Sequence, residues 1–237
     1  IILPYAHDAM YVGWEKQLIA ENTHAGGGTI LIGGDIWKRN WKEKSPLADI
    51  PSLRRQHLHM SIDTSDYPYS KKKFNIPGTR GYLYIGHDAW YKNTSELERI
   101  AARMPGKRFS HIGGGTIRGW KKLSNFSVLT PSFINQLVRD HDIFVTVSTA
   151  DPQATTILEQ MCLGLAVACT PETGYEYPSL FPLHTHNTEY NVRILQDLQE
   201  IQEDELISRA QRNRLIVETQ HTWGQFTDSV CKFIGLS

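Results

Sequence analysis

The stretch Val145–Gly174, VTVSTADPQATTILEQMCLGLAVACTPETG, reads as a strand, a loop, a helix and a second strand in succession. Ile143 to Val147 is an apolar, β-branched run of the length expected for a strand buried on both faces of a parallel sheet. The small polar residues Ser148 to Ala154 follow, and Thr155 or Thr156 can cap a helix carrying Ile157, Leu158, Met161 and Cys162 on one side. Gly164 ends that helix, and Leu165 to Cys169 supplies the next strand. A loop at the carboxyl end of a parallel strand, opening into a helix amino end, is where open α/β sheets bind phosphorylated ligands. Free N–H groups and the helix dipole both attract anions there. Asp151 in the loop and Glu159 in the helix flank this place, eight positions apart. Carboxylates that accept hydroxyl protons, beside amides that hold phosphate, suit a sugar nucleotide.

Working outward, the remaining segments fall into the same pattern. Tyr82 to Gly86 is a short apolar run with a glycine end and reads as the first strand of the sheet. After the loop HDAWYKN, Ser95 with Glu98 predicts a capping box ahead of Leu97, Ile100, Ala101 and Met104 at helical spacing. Phe109 to Gly113 reads as a second strand with a glycine-rich exit, Gly113-Gly114-Gly115, and Asn125 to Leu129 as a third. Pro131 to Arg139 has a helical pattern leading into the signature strand, and Phe226, Val230 and Phe233 share one face of a final helix. At the amino end, Ile1 to Leu3 and Thr29 to Ile32 read as strands, with a helix over Gly13 to Glu21 between them. Trp37 to Lys44 reads as a loop.

The segment around Asp151 resembles the donor-binding signature of retaining glycosyltransferases of the GT-B fold, the family 4-like group. Asp151 stands at the first acid of that signature, Glu159 at the second, Leu158-Glu159-Gln160-Met161 at its helix, and Gly174 in its final turn. The family more often has Glu at the first acid with Gly-Phe-Gly after it, where this chain has Asp151 and then Pro152-Gln153-Ala154. Lys92 matches a lysine that holds the donor diphosphate, while His87 stands where an arginine is usual. Gly86 and Gly114 match the glycine turns after the first two strands, and His221-Thr222-Trp223 resembles the family's final Ser-Trp helix start. The resemblance covers Leu58 to Phe233, in order.

It implies an α/β fold, a Rossmann-like, mostly parallel sheet with helices on both faces, preceded by a short amino-terminal segment. Residues 1–55 are expected to be the remnant of an amino-terminal, acceptor-side domain and linker, and 56–237 the nucleotide-sugar-binding domain of a longer enzyme. The implied activity is hexosyl transfer from a nucleotide-sugar donor to a glycan or lipid-linked acceptor, with retention of configuration, in polysaccharide or glycoconjugate biosynthesis. Lys92 and His87 would stabilise the leaving diphosphate, and Asp151 would orient the donor sugar. Glu159 would hold the ribose. Gln153, Ala154, Thr155 and Thr156 would line the phosphates, with Gly86, Gly114 and Gly174 shaping the pocket. No metal and no other cofactor is implied. A catalytically silent nucleotide-sugar-binding module is the alternative, favoured by Pro152-Gln153 and His87, and an epimerase on the same fold is a third reading.

Composition bounds these readings. The 237 residues are 40% hydrophobic and 21% charged with a formal net charge of +0, enough for a normal core and without a general drive toward nucleic acid or an anionic membrane. No run is long and apolar enough for a membrane span and no signal peptide is visible, so a cytoplasmic place is expected, with peripheral contact at the inner membrane face compatible. Three cysteines, an odd number, point to reduced thiols. Lys71-Lys72-Lys73 reads as a solvated linker edge. His57 with His59 and His184 with His186 have a spacing compatible with metal binding but no Cys or acid near them in sequence. Gly113-x-Gly115 lacks the third glycine of a dinucleotide fingerprint.

Overall fold

A computed structural model describes residues 2–4, 17, 20–22, 24–37, 39, 54–125 and 130–236. Three short strands, β1 (Ile2–Pro4), β2 (Gly28–Ile32) and β3 (Arg54–Leu58), pair in parallel in the order β1-β2-β3. Six more form the main sheet: β4 (Tyr82–Ile85), β5 (Phe109–Ile112), β6 (Lys121–Ser124), β7 (Ile143–Thr146), β8 (Ala166–Cys169) and β9 (Phe181–Pro182). All are parallel, in the order β6-β5-β4-β7-β8-β9. The chain therefore starts at the sheet's centre, winds outward to β6, returns to β7 beside β4, and winds outward to β9. This is a doubly wound sheet, and its strand order reverses between β4 and β7.

The sheet is buried on both faces, which is why its central strands are continuous apolar runs. Tyr82, Tyr84, Ile143, Val145, Ala166 and Ala168 face one core. That core is completed by α1 (Thr94–Arg103), α4 (Thr188–Glu200) and the first half of α5 (Glu203–Gln220). Leu83, Ile85, Phe144, Val167 and Cys169 face the other. There α2 (Pro131–Asp140), α3 (Thr155–Leu163) and Val217 of α5 close it. The last helix, α6 (Trp223–Ile234), has no buried residue.

Several expectations need correction. The third strand is Lys121–Ser124; most of the segment expected for it, 126–129, lies outside the described residues, as do most of the expected helix over 13–21 and loop over 37–44. The capping box at Ser95 is absent. Asn93 occupies the N-cap of α1 in the left-handed region (φ 54), and Glu98 accepts from the Arg118 amide at 2.9 Å. Ala154, not a threonine, caps α3, with no side-chain bond. Lys71 is not solvated: it is buried and its ammonium lies 2.8 Å from Asp142 Oδ1, with the carbonyls of Val138 (2.8 Å) and His141 (2.9 Å) as further acceptors. Asp142 also accepts from the amides of Asn75 and Gly81, so this buried pair fastens the loop before β4 to the start of β7.

Candidate functional site

The site lies at the carboxyl ends of β4 and β7, on either side of the reversal. Beyond β4, the Gly86 amide continues the ladder to Ile112 O at 3.0 Å, and a side chain at Gly86 would collide with the Tyr84 hydroxyl. His87 is exposed, its Nε2 3.1 Å from the Tyr91 hydroxyl. A 3-10 turn, Trp90–Lys92, then folds back over β7. The Thr149 amide donates to Tyr91 O at 2.7 Å. The Asn93 side chain donates to Val147 O (3.1 Å) and Thr185 O (2.9 Å). That reach across the sheet end is what holds Asn93 in its left-handed conformation and costs α1 its side-chain cap.

The turn delivers Lys92 to Asp151. The Lys92 ammonium and Asp151 Oδ2 form an ion pair whose side chains are only 12% and 9% exposed. Two residues separated by 59 positions thus meet directly. The Asp151 amide donates to Glu172 O at 2.9 Å, and its carbonyl accepts from Trp37 Nε1 at 2.9 Å. Gln153 is buried, and both ends of its amide are occupied: Oε1 accepts from the Met60 amide at 2.5 Å, and Nε2 lies 3.0 Å from His59 Nδ1. At the start of α3, Thr155 and Thr156 are half-buried, and their amides, as the first two of a helix, have no intrahelical acceptor. They remain available to an anion.

Glu159, one turn further along α3, is half-buried rather than a solvated surface charge. Burial pushes its carboxyl above the ordinary glutamate value, and a hydrogen bond with Tyr67 offsets part of that. The Tyr67 hydroxyl is in turn pushed up to about 12, by burial first and then by the Glu159 charge. Tyr67 was not visible as a site residue, because nothing in its local pattern points across to α3. Of the turn glycines, Gly174 has φ +89, and a Cβ there would sit 2.4 Å from Pro152 O. A Cβ at Gly114 would meet nothing within 4 Å. Gly174 is required by packing, whereas Gly114 opens onto free space.

Asp35, distant from His57 and His59 in sequence, joins them in space. Each of the three offers one ligand atom, all within 4.8 Å of one another. The Gln153 amide decides what His59 can do there. With its oxygen committed to Met60, its nitrogen donates to His59 Nδ1, which leaves the ring proton on Nε2. A metal ion on His59 would have to displace that donor.

No protein-family model matches the chain, and no curated protein matches it in sequence. Solved structures do match in shape. A glycosyltransferase from Rickettsia africae superposes with a TM-score of 0.69 at 13% identity, covering 96% of this chain and 69% of that one. TarM superposes at 0.72 and 11% identity over 98% of this chain and 49% of TarM. WaaG, a glycosyltransferase involved in lipopolysaccharide biosynthesis, superposes at 0.61 and 16% identity, over 87% and 63%.

The fold is that of GT-B glycosyltransferases. The chain spans about half the length of TarM. The GT-B carboxy-terminal domain of LpcC from Francisella tularensis is matched over its whole length by 69% of this chain (TM-score 0.54, 16% identity). The Lys92–Asp151 pair lies at the reversal of strand order between β4 and β7.

Proposed function

We propose that this chain binds a nucleotide-sugar donor and serves glycosyl transfer to a glycan or lipid-linked acceptor, with retention of configuration and without a metal. The observation that carries the reading is the meeting of Lys92 and Asp151 beside the amino end of α3, at the reversal of strand order. When a glycosidic bond to a diphosphate breaks, negative charge grows on the leaving phosphate oxygen. Lys92 and the amides of Thr155 and Thr156 supply positive potential there. Lys92 then exchanges its carboxylate partner for the phosphate, which frees Asp151 to accept hydroxyl protons from the donor sugar. Glu159 accepts from the ribose hydroxyls in place of Tyr67. Its similarity to a TarM variant from S. aureus whose structure holds UDP supports the donor class (TM-score 0.73, 11% identity, 98% of this chain and 50% of that one).

Residues 1–55 would be the remnant of an acceptor-side domain and linker, and a cytoplasmic place, in contact with the inner membrane face for a lipid-linked acceptor, fits this chemistry. No helix among the described residues is long and apolar enough to cross a membrane. A silent binding module is the second reading, favoured by the exposed His87, which makes a contact with Tyr91 where a permanent cation would serve the phosphate better.

Calorimetric titration with UDP, GDP, ADP and CDP sugars in chelator tests the proposal. At least one should bind, and Glu159→Gln should weaken it about ten- to a hundredfold, since a charge-assisted hydrogen bond contributes roughly 1.5–3 kcal/mol. A folded sample that binds none of them would refute the reading.

A further inference from the structure

Gly34, Trp37 and Met60 touch the acid loop at three consecutive residues. Trp37 Nε1 donates to Asp151 O at 2.9 Å. The Gly34 amide donates to Pro152 O at 2.8 Å. The Met60 amide donates to Gln153 Oε1 at 2.5 Å. Trp37 is 4% exposed, so its indole N–H has been taken out of water to make this bond. Gly34 approaches so closely that a Cβ on it would lie 1.8 Å from Gly174 O, in the turn that forms the far wall of the same loop. From that wall, Glu172 O accepts from the Asp151 amide (2.9 Å) and Thr173 O from the Ala154 amide (3.3 Å). The Asp151 backbone is thus held on both sides, its N–H by the 171–173 turn and its C=O by Trp37.

A surface loop has no general reason to be fixed this way, and a loop that carries an acid gains from it. A carboxylate held within a few tenths of an ångström of its working position loses little entropy when a ligand arrives. The side chain of Asp151 has one rotatable bond to its carboxylate-bearing carbon beyond the backbone, so fixing its backbone largely fixes its reach. We infer that Trp37 is a positioning residue for Asp151, and that the segment Gly34–Trp37 is a built-in strap on the donor site. The sugar-contacting half of the site is then composite, with its acid on the main sheet and its alignment set by the amino-terminal one. The consequence for ligands rests on the donor-site reading; the mechanical role of Trp37 does not.

The test uses the full chain with Trp37→Phe, which keeps an aromatic ring of smaller volume and removes the N–H, and Trp37→Leu as a second variant. Amide hydrogen exchange is read at Asp151 and Ala154 against Leu83 and Phe144 in the sheet. The strap predicts faster exchange at Asp151 and Ala154 with the sheet amides unchanged. For ligands, affinity for a nucleotide sugar should fall about three- to tenfold, the worth of one neutral hydrogen bond, while affinity for the bare nucleoside, held through Glu159, stays within twofold. Combining Trp37→Phe with Asp151→Asn should add little to the loss from Asp151→Asn alone, because the first acts through the second. Unchanged exchange at Asp151 and Ala154 would overturn the inference. So would equal acceleration across the sheet, which would make Trp37 ordinary core. If wild-type chain binds no nucleotide sugar, the proposed function falls, and the exchange data alone still decide the strap.

Discussion

Lys92 and Asp151 give a sharp test, because a pair this sheltered behaves unlike a surface ion pair. At an effective dielectric of about 20, unit charges about 4 Å apart attract by ~4 kcal/mol, and desolvation of both groups offsets much of this. Removing one partner, however, leaves the other charge in place with its desolvation uncompensated. For fully buried pairs this costs about 3–5 kcal/mol. With 12% and 9% of the side chains still exposed, the lower end applies. Lys92→Met and Asp151→Asn are each expected to lower stability by about 3 kcal/mol at neutral pH. In a chain of 237 residues that is a drop in melting temperature of about 6–12 °C, at about 2–4 °C per kcal/mol. The double variant Lys92→Met/Asp151→Asn leaves no unpaired charge and should cost no more than either single change. The assay is urea unfolding of the four proteins, read as a double-mutant cycle. Single costs below about 1 kcal/mol that simply add in the double variant would show an ordinary surface pair and refute the argument from burial. The same four proteins report on function: a nucleoside diphosphate should raise the melting temperature of wild type and fail to do so in Lys92→Met.

Two further outcomes follow from other parts of the site. His221 is buried, with Nδ1 2.7 Å from Met60 O and Nε2 2.7 Å from the Tyr177 hydroxyl. Burial lowers its pKa from 6.5 to about 4, with the nearby His59 adding to the shift and the bond to Met60 opposing it. Between those values the unfolded chain binds the extra proton, so stability rises with pH. About 3 kcal/mol should therefore be lost as pH falls from about 6.5 to about 4, and a His221→Gln variant with the same pH slope in thermal unfolding as wild type would contradict this. The glycines make a contrasting pair. Gly174→Ala should destabilise by about 2 kcal/mol or more, since a Cβ would sit 2.4 Å from Pro152 O on a left-handed backbone. Gly114→Ala, with nothing within 4 Å, should change unfolding by less than about 0.5 kcal/mol. Equal effects would mean that the turn around Gly174 is not packed as described.

The elements whose signal is local were legible in the order of the amino acids. The buried strands β4, β7 and β8 are runs apolar on both faces, and α3 announces itself by its apolar stripe and the glycine at its end. Asp151 and Glu159 were legible as candidates through their positions relative to these elements, and Lys92 through the resemblance to the GT-B family. The edge strand β6 escaped because Lys121–Ser124 is largely exposed and carries no apolar run. The partners of the charges follow from how the elements pack. Lys71 sits in a run of three lysines that looks solvated, yet its burial follows from Asp142 arriving 2.8 Å away across the start of β7. Asn93 gave up its cap to reach Val147 and Thr185. Trp37 meets the Asp151 carbonyl across 114 positions of chain, and Asp35 meets His57 and His59 only because β2 and β3 pair in parallel. Periodicity reports which face of an element is buried, whereas a hydrogen bond or ion pair needs two specific atoms within about 3 Å, and that distance is set by how the elements pack.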